Sequence, residues 1–270
     1  MSFCDIIHAM TERDIEFAAT VLWKNWQQSI RIRELPENSR PTNRADGYAI
    51  QARLAALSGQ GIAGWKIAAT SLAGQAHIRV DGPLAGRLLK DRVLKSGAII
   101  SLTGNLMRVA EAEFAFRFRR DLGKREQRYS LDEVLNAVES LHIAIEVPDS
   151  RFEDYTVVGA PQLIADNACA CWFILGPPVE ANWRDLDLAQ HKVEGYQNLE
   201  HTSTGSGANV LGDPCVALTW IANELSYFGE GLLAGQVVTT GTCITPIPVA
   251  PGDDVRMDFG AFGSIEAQFS

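Results

Sequence analysis

The chain has 270 residues, 46% of them hydrophobic and 21% charged, so it can form one large domain or two small ones with a substantial core. Its 24 Lys and Arg are outnumbered by 33 Asp and Glu, and the net charge of −9 argues against binding to nucleic acid or to an anionic membrane. No apolar run approaches the roughly 20 residues of a membrane span, and the cysteines lack zinc spacing, which predicts reduced thiols in the cytoplasm: Cys4, Cys169, Cys171, Cys215 and Cys243.

Two helices are predicted at the start of the chain. Thr11 is placed to cap a helix that runs to about Arg33, and a second helix opens near Ala45 and ends at Gly59. A proline-containing linker separates the two. These elements predict a helical N-terminal region, residues 1–60, that leans on a strand-rich main body formed by residues 61–270.

The first strand of the main body, Gly61–Thr70, carries a lysine in an apolar setting. From the pattern alone, Lys66 is more typical of a surface lysine whose stem lies along apolar neighbours than of a functional group. A later pair, Cys169 and Cys171, favours alternation in a buried strand over a redox pair.

The segment Arg108–Phe118 predicts a strand with two distinct faces. One face carries alanine and phenylalanine side chains that suit a core, and the other carries Glu111 and Glu113 side by side. Adjacent buried carboxylates repel each other and are costly without neutralisation, so a hard divalent cation with oxygen ligands is one solution. The alternative is a pair of surface glutamates that form ion pairs with Arg117 or Arg119.

A third carboxylate follows along the chain. Ser130 and Glu133 have the spacing of a capping box, which predicts a helix to about Leu141. The apolar strand that follows, His142–Val147, has Glu146 near its end. With the first pair, this residue could complete a set of three metal ligands.

The C-terminal part predicts further strands and one helix. A glycine-rich loop precedes a helix over Val216–Phe228, but it lacks the lysine of a phosphate-binding loop. Gly235–Thr242 predicts a strand, and Val255–Phe259 and Ser264–Phe269 predict a hairpin. Strands outnumber helices after residue 60, which indicates an α+β fold that is mostly β.

An ordered series of short segments resembles the fumarylacetoacetate hydrolase superfamily. The similarity is greater to its branch of 2-oxopent-4-enoate hydratases and 4-oxalocrotonate decarboxylases. The segments occur in the family's order and span nearly the whole chain: Ala49–Gln51, Gly64–Thr70, Val80–Pro83, Glu111–Glu113, Glu146–Arg151, Ala165–Ala168, Val210–Pro214, Ala234–Gly235, Thr240–Gly241 and Phe262–Ser264.

The resemblance implies rolled, mixed β-sheets with flanking helices and a bound Mg²⁺ or Mn²⁺. It implies roles for particular residues, namely metal ligands Glu111, Glu113 and Glu146, a catalytic Lys66, and substrate-binding Leu84, Leu88, Asp166, Ala208 and Thr242. The implied function is a metal-dependent lyase acting on small unsaturated 2-oxo acids in the catabolism of aromatic compounds. Relatives of this kind also imply a homo-oligomer, or a complex with a related hydratase or decarboxylase.

One position departs from the hydratases that the chain resembles. Position 84 is leucine where hydratases usually carry an acidic residue, and Ala208 is also more typical of the decarboxylases. Asp81 is the nearby residue that could replace the missing acid as a catalytic group. The overall match does not separate the two reactions, so hydration stays the first implied reaction and decarboxylation the alternative, ahead of an acylpyruvate C–C hydrolase and a non-catalytic partner subunit.

Overall fold

The computed structural model describes residues 10–270. Within them, the helices are α1 (Glu12–Gln28), α2 (Arg44–Ser58), α3 (Leu72–His77), α4 (Leu131–Leu135), α5 (Ala160–Ala165) and α6 (Pro214–Phe228). The strands are β1 (Ile62–Ala68), β2 (Leu84–Leu89), β3 (Val93–Lys95), β4 (Ala98–Ile100), β5 (Val109–Phe118), β6 (Val138–Val147), β7 (Trp172–Pro178), β8 (Lys192–Gln197), β9 (Glu200–Ser206), β10 (Val237–Thr242), β11 (Ile247–Pro248), β12 (Asp254–Asp258) and β13 (Ser264–Phe269). Cys4 lies outside the described residues.

The strands form two mixed sheets. The larger has the order β2-β1-β10-β5-β6-β7-β3, with β11 also paired to β5, and the smaller has the order β4-β13-β12-β8-β9. Parallel pairs join β1 to β10, β3 to β7 and β4 to β13, and the other pairs are antiparallel. This arrangement confirms the predicted α+β fold with mixed sheets, and the pairing of β12 with β13 confirms the predicted hairpin.

Strand β5 separates the main core from the face that carries the glutamates. Its inward side chains alternate as the sequence predicts, and Phe114, Phe116 and Phe118 are fully buried. Burial of each such side chain contributes about 1.5–3 kcal/mol. This fixes the register of the strand, because a shift by one residue would move all three to the opposite face, where Glu113 and Ala115 lie. The opposite face is thereby forced to carry Glu111 and Glu113.

The N-terminal helices pack on the main body through a second apolar cluster. Leu22 of α1 and Leu54 of α2 share this cluster with Leu89, Phe152 and Ala165, which follow residue 60. Thr11 caps α1 as predicted, but the helix ends at Gln28, five residues before Arg33. The division of the chain at residue 60 stays a prediction.

Two local predictions were wrong. The helix that Ser130 caps ends at Leu135, because Val138 and Leu141 pair with β5 and extend β6. Cys169 lies in a left-handed turn and not in an alternating strand, which begins only at Trp172.

In residues 10–270, no helix has both the length and the apolar character needed to cross a membrane.

Candidate active site

The register of β5 and β6 brings the three predicted metal ligands together. Glu111 lies directly opposite Glu146, and Glu113 follows on the same face of β5. One carboxylate oxygen of each residue lies within 4.8 Å of the others. Glu113 and Glu146 are almost fully buried and Glu111 is partly buried, which contradicts the alternative of surface glutamates.

Several oxygens of this cluster are buried without a hydrogen-bond partner among the described residues. They are Oε1 of Glu113 and both carboxylate oxygens of Glu146. Lys66 Nζ lies 3.0 Å from Glu146 Oε1, so the two form an ion pair, although the contact lacks the alignment of a hydrogen bond. Unpartnered buried carboxylate oxygens are costly, and oxygen-rich clusters suit hard divalent cations.

The charge of the cluster is also incompletely balanced. Burial, followed by repulsion from Glu146, raises the pKa of Glu111 to about 7. The same two causes, with repulsion from Glu111 added, raise the pKa of Glu113 well above its usual value. Without a further positive charge, burial and mutual repulsion therefore disfavour the ionised forms of Glu111 and Glu113. The unpartnered oxygens and the raised pKa values both fit a divalent metal ion.

Lys66 is buried beside these carboxylates and does not reach solvent. Its side chain is about 4% exposed, and the predicted surface position was therefore wrong. Burial opposes the charged ammonium, but attraction to Glu146, Glu111 and Glu113 outweighs it and raises the pKa of Lys66. The residue is thus a cation held next to the candidate metal site.

A left-handed turn over residues 167–169 also contacts the ammonium group of Lys66. Nζ donates a hydrogen bond to the Ala168 carbonyl at 3.0 Å. Asn167, Ala168 and Cys169 have φ values of 56°, 48° and 62°, which non-glycine residues rarely adopt and which are often found at functional sites. The Asn167 amide stabilises this turn by bonding the backbone N–H and C=O of Arg87 at 2.6 and 2.8 Å.

A cavity of about 580 Å³ opens beside this group, with Lys66 and Glu111 in its lining. Its walls include apolar side chains such as Met107, Leu163 and Ile244. The volume lies within the range of small-molecule sites. A small acid could therefore place its polar end at Lys66 and Glu111 and its carbon chain against the apolar walls.

The predicted substrate-binding residues separate into two groups. Leu84 and Thr242 line the cavity. Leu88 packs in an apolar cluster on the same sheet with Ala115 and Phe173, and Ala208 is exposed to solvent. The structure does not place Leu88 or Ala208 in the cavity lining, and their roles stay predictions.

Asp166 and Asp81 also lie outside the cavity lining. Asp166 is fully buried, where it forms an ion pair with Arg151 and accepts a hydrogen bond from Ser150 Oγ at 2.7 Å. It precedes the turn that contacts Lys66, which indicates support of that turn. The Asp81 side chain is 92% exposed and lies 3.7 Å from Arg44 Nη1. The catalytic role of Asp81 stays a prediction that this position does not favour.

The structure adds lining residues that sequence reasoning missed. His77 and Tyr155 line the cavity, and their rings meet edge to face at 6.1 Å. They lie on α3 and on the loop before α5, 78 residues apart, so no local pattern signals their meeting. Asn209 also lines the cavity and comes from the glycine-rich loop, next to the predicted Ala208.

The comparisons with known proteins agree with this geometry. The sequence profile of the fumarylacetoacetate (FAA) hydrolase C-terminal family matches residues 90–270. The chain belongs to the fumarylacetoacetate hydrolase family. The predicted resemblance is therefore confirmed. The three glutamates lie within the matched residues, on β5 and β6, whereas Lys66 precedes them on β1.

Relatives within the fumarylacetoacetate hydrolase family carry two kinds of name. A 2-keto-4-pentenoate hydratase of Paraburkholderia xenovorans (strain LB400) is 32% identical over 265 residues, 96% of both chains. A 4-oxalocrotonate decarboxylase of Pseudomonas sp. (strain CF600) is 32% identical over 228 residues, 83% of this chain and 85% of the relative.

A solved structure shows the same fold. It is the 4-oxalocrotonate decarboxylase from Pseudomonas putida G7, complexed with magnesium and adipate. The TM-score is 0.88 at 27% identity, and the match covers 97% of this chain and all of the decarboxylase. The same decarboxylase complexed with calcium and acetate matches with a TM-score of 0.85.

Proposed function

We propose that this chain is a metal-dependent lyase acting on small unsaturated 2-oxo acids. The observation that carries the proposal is the convergence of Glu111, Glu113, Glu146 and Lys66 beside a cavity with apolar walls. Unpartnered carboxylate oxygens match the needs of Mg²⁺ or Mn²⁺, and a magnesium complex is known for the decarboxylase of the same fold. When bound by the three glutamates, the ion supplies a Lewis acid for the 2-oxo acid group.

Lys66 supplies a hydrogen-bond donor to the site. An ammonium has three N–H donors. The Ala168 carbonyl accepts from one and Glu146 attracts a second, which leaves one donor for the enolate oxygen of a substrate. Such a donor, aimed where negative charge develops in a dry site, stabilises the enolate in the transition state.

Hydration is the first candidate reaction. Relatives named 2-keto-4-pentenoate hydratase match nearly the whole chain, which supports 2-hydroxypenta-2,4-dienoate as substrate. In this reaction the enol hydroxyl loses its proton while the terminal carbon gains one. Water then adds across the remaining C–C double bond, with its oxygen on the carbon next to the terminal one. The apolar walls of the cavity suit the uncharged carbon chain of this substrate.

Decarboxylation is the second candidate, and Leu84 is the observation that favours it. Leu84 is fully buried and lines the cavity, whereas Asp81 is exposed to solvent. The resemblance places an acidic group of hydratases at position 84. Loss of CO₂ from 2-oxo-3-hexenedioate breaks one C–C bond and leaves its electron pair in the dienolate, so it requires little handling of water.

Leu84→Asp tests the choice between the two reactions. If water addition needs an acid at this position, the substitution should raise hydration of 2-hydroxypenta-2,4-dienoate. It should also lower decarboxylation of 2-oxo-3-hexenedioate, because it places a poorly solvated charge beside the substrate. Both proteins are given both substrates, and dienoate absorbance is followed together with CO₂ release. Leu84→Asn, which has nearly the same shape as Leu84→Asp but no charge, is the control.

Each outcome has a distinct meaning. Efficient hydration by the wild-type protein, without CO₂ from the diacid, would show that Leu84 does not prevent water addition. Release of CO₂ from the diacid by the wild-type protein, but not by Leu84→Asp, would support decarboxylation. Turnover of neither substrate in the presence of Mg²⁺ would contradict the proposed lyase.

The proposal extends to location and assembly. Cys169, Cys171, Cys215 and Cys243 are all free thiols, which supports a reducing compartment, the cytoplasm.

We also propose a homo-oligomer, or a complex with a related hydratase or decarboxylase, since exposed apolar side chains such as Val216 and Leu233 are available for contacts. Light scattering on the purified protein, alone and mixed with such a relative, measures this assembly.

A further inference from the structure

The carboxylate of Glu113 is held through only one of its two oxygens. Oε2 accepts hydrogen bonds from the Thr239 hydroxyl and, at 2.9 Å, from the backbone N–H of Gly241. Oε1 is buried without a hydrogen-bond partner among the described residues, and Glu113 and Thr239 are both fully buried. The two donors therefore fix the rotation of the carboxylate and leave one oxygen unoccupied.

A β-bulge in β10 makes this double contact possible. Thr239 pairs with Ala115, but Thr242 pairs with Glu113, so three residue steps on β10 face two steps on β5. The extra residue lets the Thr239 side chain and the Gly241 N–H reach the same oxygen. Gly241 has φ +100°, and a Cβ there would clash with the side chain of Thr70, so a larger residue does not fit.

We propose that Thr239 is a positioning residue for the divalent metal ion. Its hydroxyl, together with the Gly241 N–H, turns Glu113 so that Oε1 is presented toward Glu111 and Glu146. The inference rests on the proposed function, in which Glu113 is a metal ligand. Partners that orient ligating carboxylates commonly set the affinity for the metal, and their loss weakens binding about 10- to 100-fold.

The neighbouring Thr240 offers a matched comparison. It lies on the same strand and is also fully buried, but its hydroxyl donates to the backbone carbonyl of Phe114 at 3.2 Å. Loss of either hydroxyl therefore removes one buried hydrogen bond from β10. Only the loss of the Thr239 hydroxyl frees the carboxylate of Glu113.

Metal affinity without substrate is the direct test. The wild type, Thr239→Val, Thr239→Ser and Thr240→Val are titrated with Mg²⁺ by calorimetry and with Mn²⁺ by electron paramagnetic resonance. We expect Thr239→Val to bind about 10- to 100-fold more weakly, and Thr239→Ser, which keeps the hydroxyl, and Thr240→Val to bind like the wild type. Thermal unfolding in EDTA records the loss of stability that the two valine variants share.

The outcomes separate this role from the proposed function. If Thr239→Val and Thr240→Val bind the metal equally well, or are weakened equally, Thr239 does not position Glu113 and the inference is overturned. The proposed function then still stands, provided that the wild type binds one ion. A wild type that binds neither Mg²⁺ nor Mn²⁺ would overturn both.

Discussion

Lys66→Met should lower turnover by about 100-fold or more in saturating Mg²⁺, which is the usual scale for the loss of an acid–base group or a donor to a developing oxyanion. Methionine keeps most of the apolar stem and removes the ammonium that lies 3.0 Å from Glu146 and from the Ala168 carbonyl. The measurement is the steady-state rate of substrate consumption, with circular dichroism to show that the fold is retained.

The control for this substitution is another lysine of the same chain. Lys192 is exposed and forms an ion pair with Glu194 at 2.5 Å on β8. Lys192→Met should leave turnover unchanged, since an exposed ion pair contributes little. If Lys66→Met also turned over substrate at the wild-type rate, Lys66 would have no part in the chemistry, despite its burial in the site.

Glu111→Gln should have opposite effects on activity and on stability. Loss of a residue that only orients a metal ligand typically lowers activity about 10- to 100-fold. Glu111 is proposed as a ligand itself, so turnover should fall by more than about 100-fold. In EDTA, however, the variant should be more stable than the wild type by on the order of 2 kcal/mol at about pH 8. Burial and repulsion from Glu146 oppose the ionised carboxylate, and glutamine removes that charge.

The pH dependence of this gain follows from the raised pKa of Glu111. In the folded protein the carboxyl keeps its proton up to about pH 7, whereas the unfolded chain loses it near the usual value of 4.5. The wild type therefore loses stability as the pH rises between these values, and the advantage of Glu111→Gln grows over the same window.

Urea unfolding in EDTA at several pH values measures this difference. Glu139→Gln, at an exposed position of β6, is the control and should change neither turnover nor stability. A Glu111→Gln variant that is less stable than the wild type in EDTA at about pH 8 would show that the cluster is not repulsive without metal.

The alternation of β5 could be predicted because it is a local pattern. Residues two apart lie on the same face of a strand, so the sequence alone placed Glu111 and Glu113 together, opposite the phenylalanine core. The meeting with Glu146 depends on the pairing of β5 with β6, which is not local. The sequence pattern offered Glu146 only as a candidate third ligand, and the resemblance to the family assigned it that role.

Other features escaped prediction because tertiary contacts overrode local preference. The turn over Asn167–Cys169 contains three non-glycine residues with left-handed φ values, which the Asn167 side chain and the neighbouring strand β2 hold in place. Lys66 resembled a surface lysine because its partners lie on β6 and on this turn. The β-bulge at Gly241 has no signal other than a glycine in a strand.

The most direct measurement of the central claim is turnover as a function of bound metal. The protein is stripped with EDTA, and Mg²⁺ is titrated back while consumption of 2-hydroxypenta-2,4-dienoate is followed by absorbance and metal content is measured. Three carboxylates that converge on one point predict no turnover in EDTA and full turnover at one ion per chain. Full turnover in excess EDTA would contradict the account.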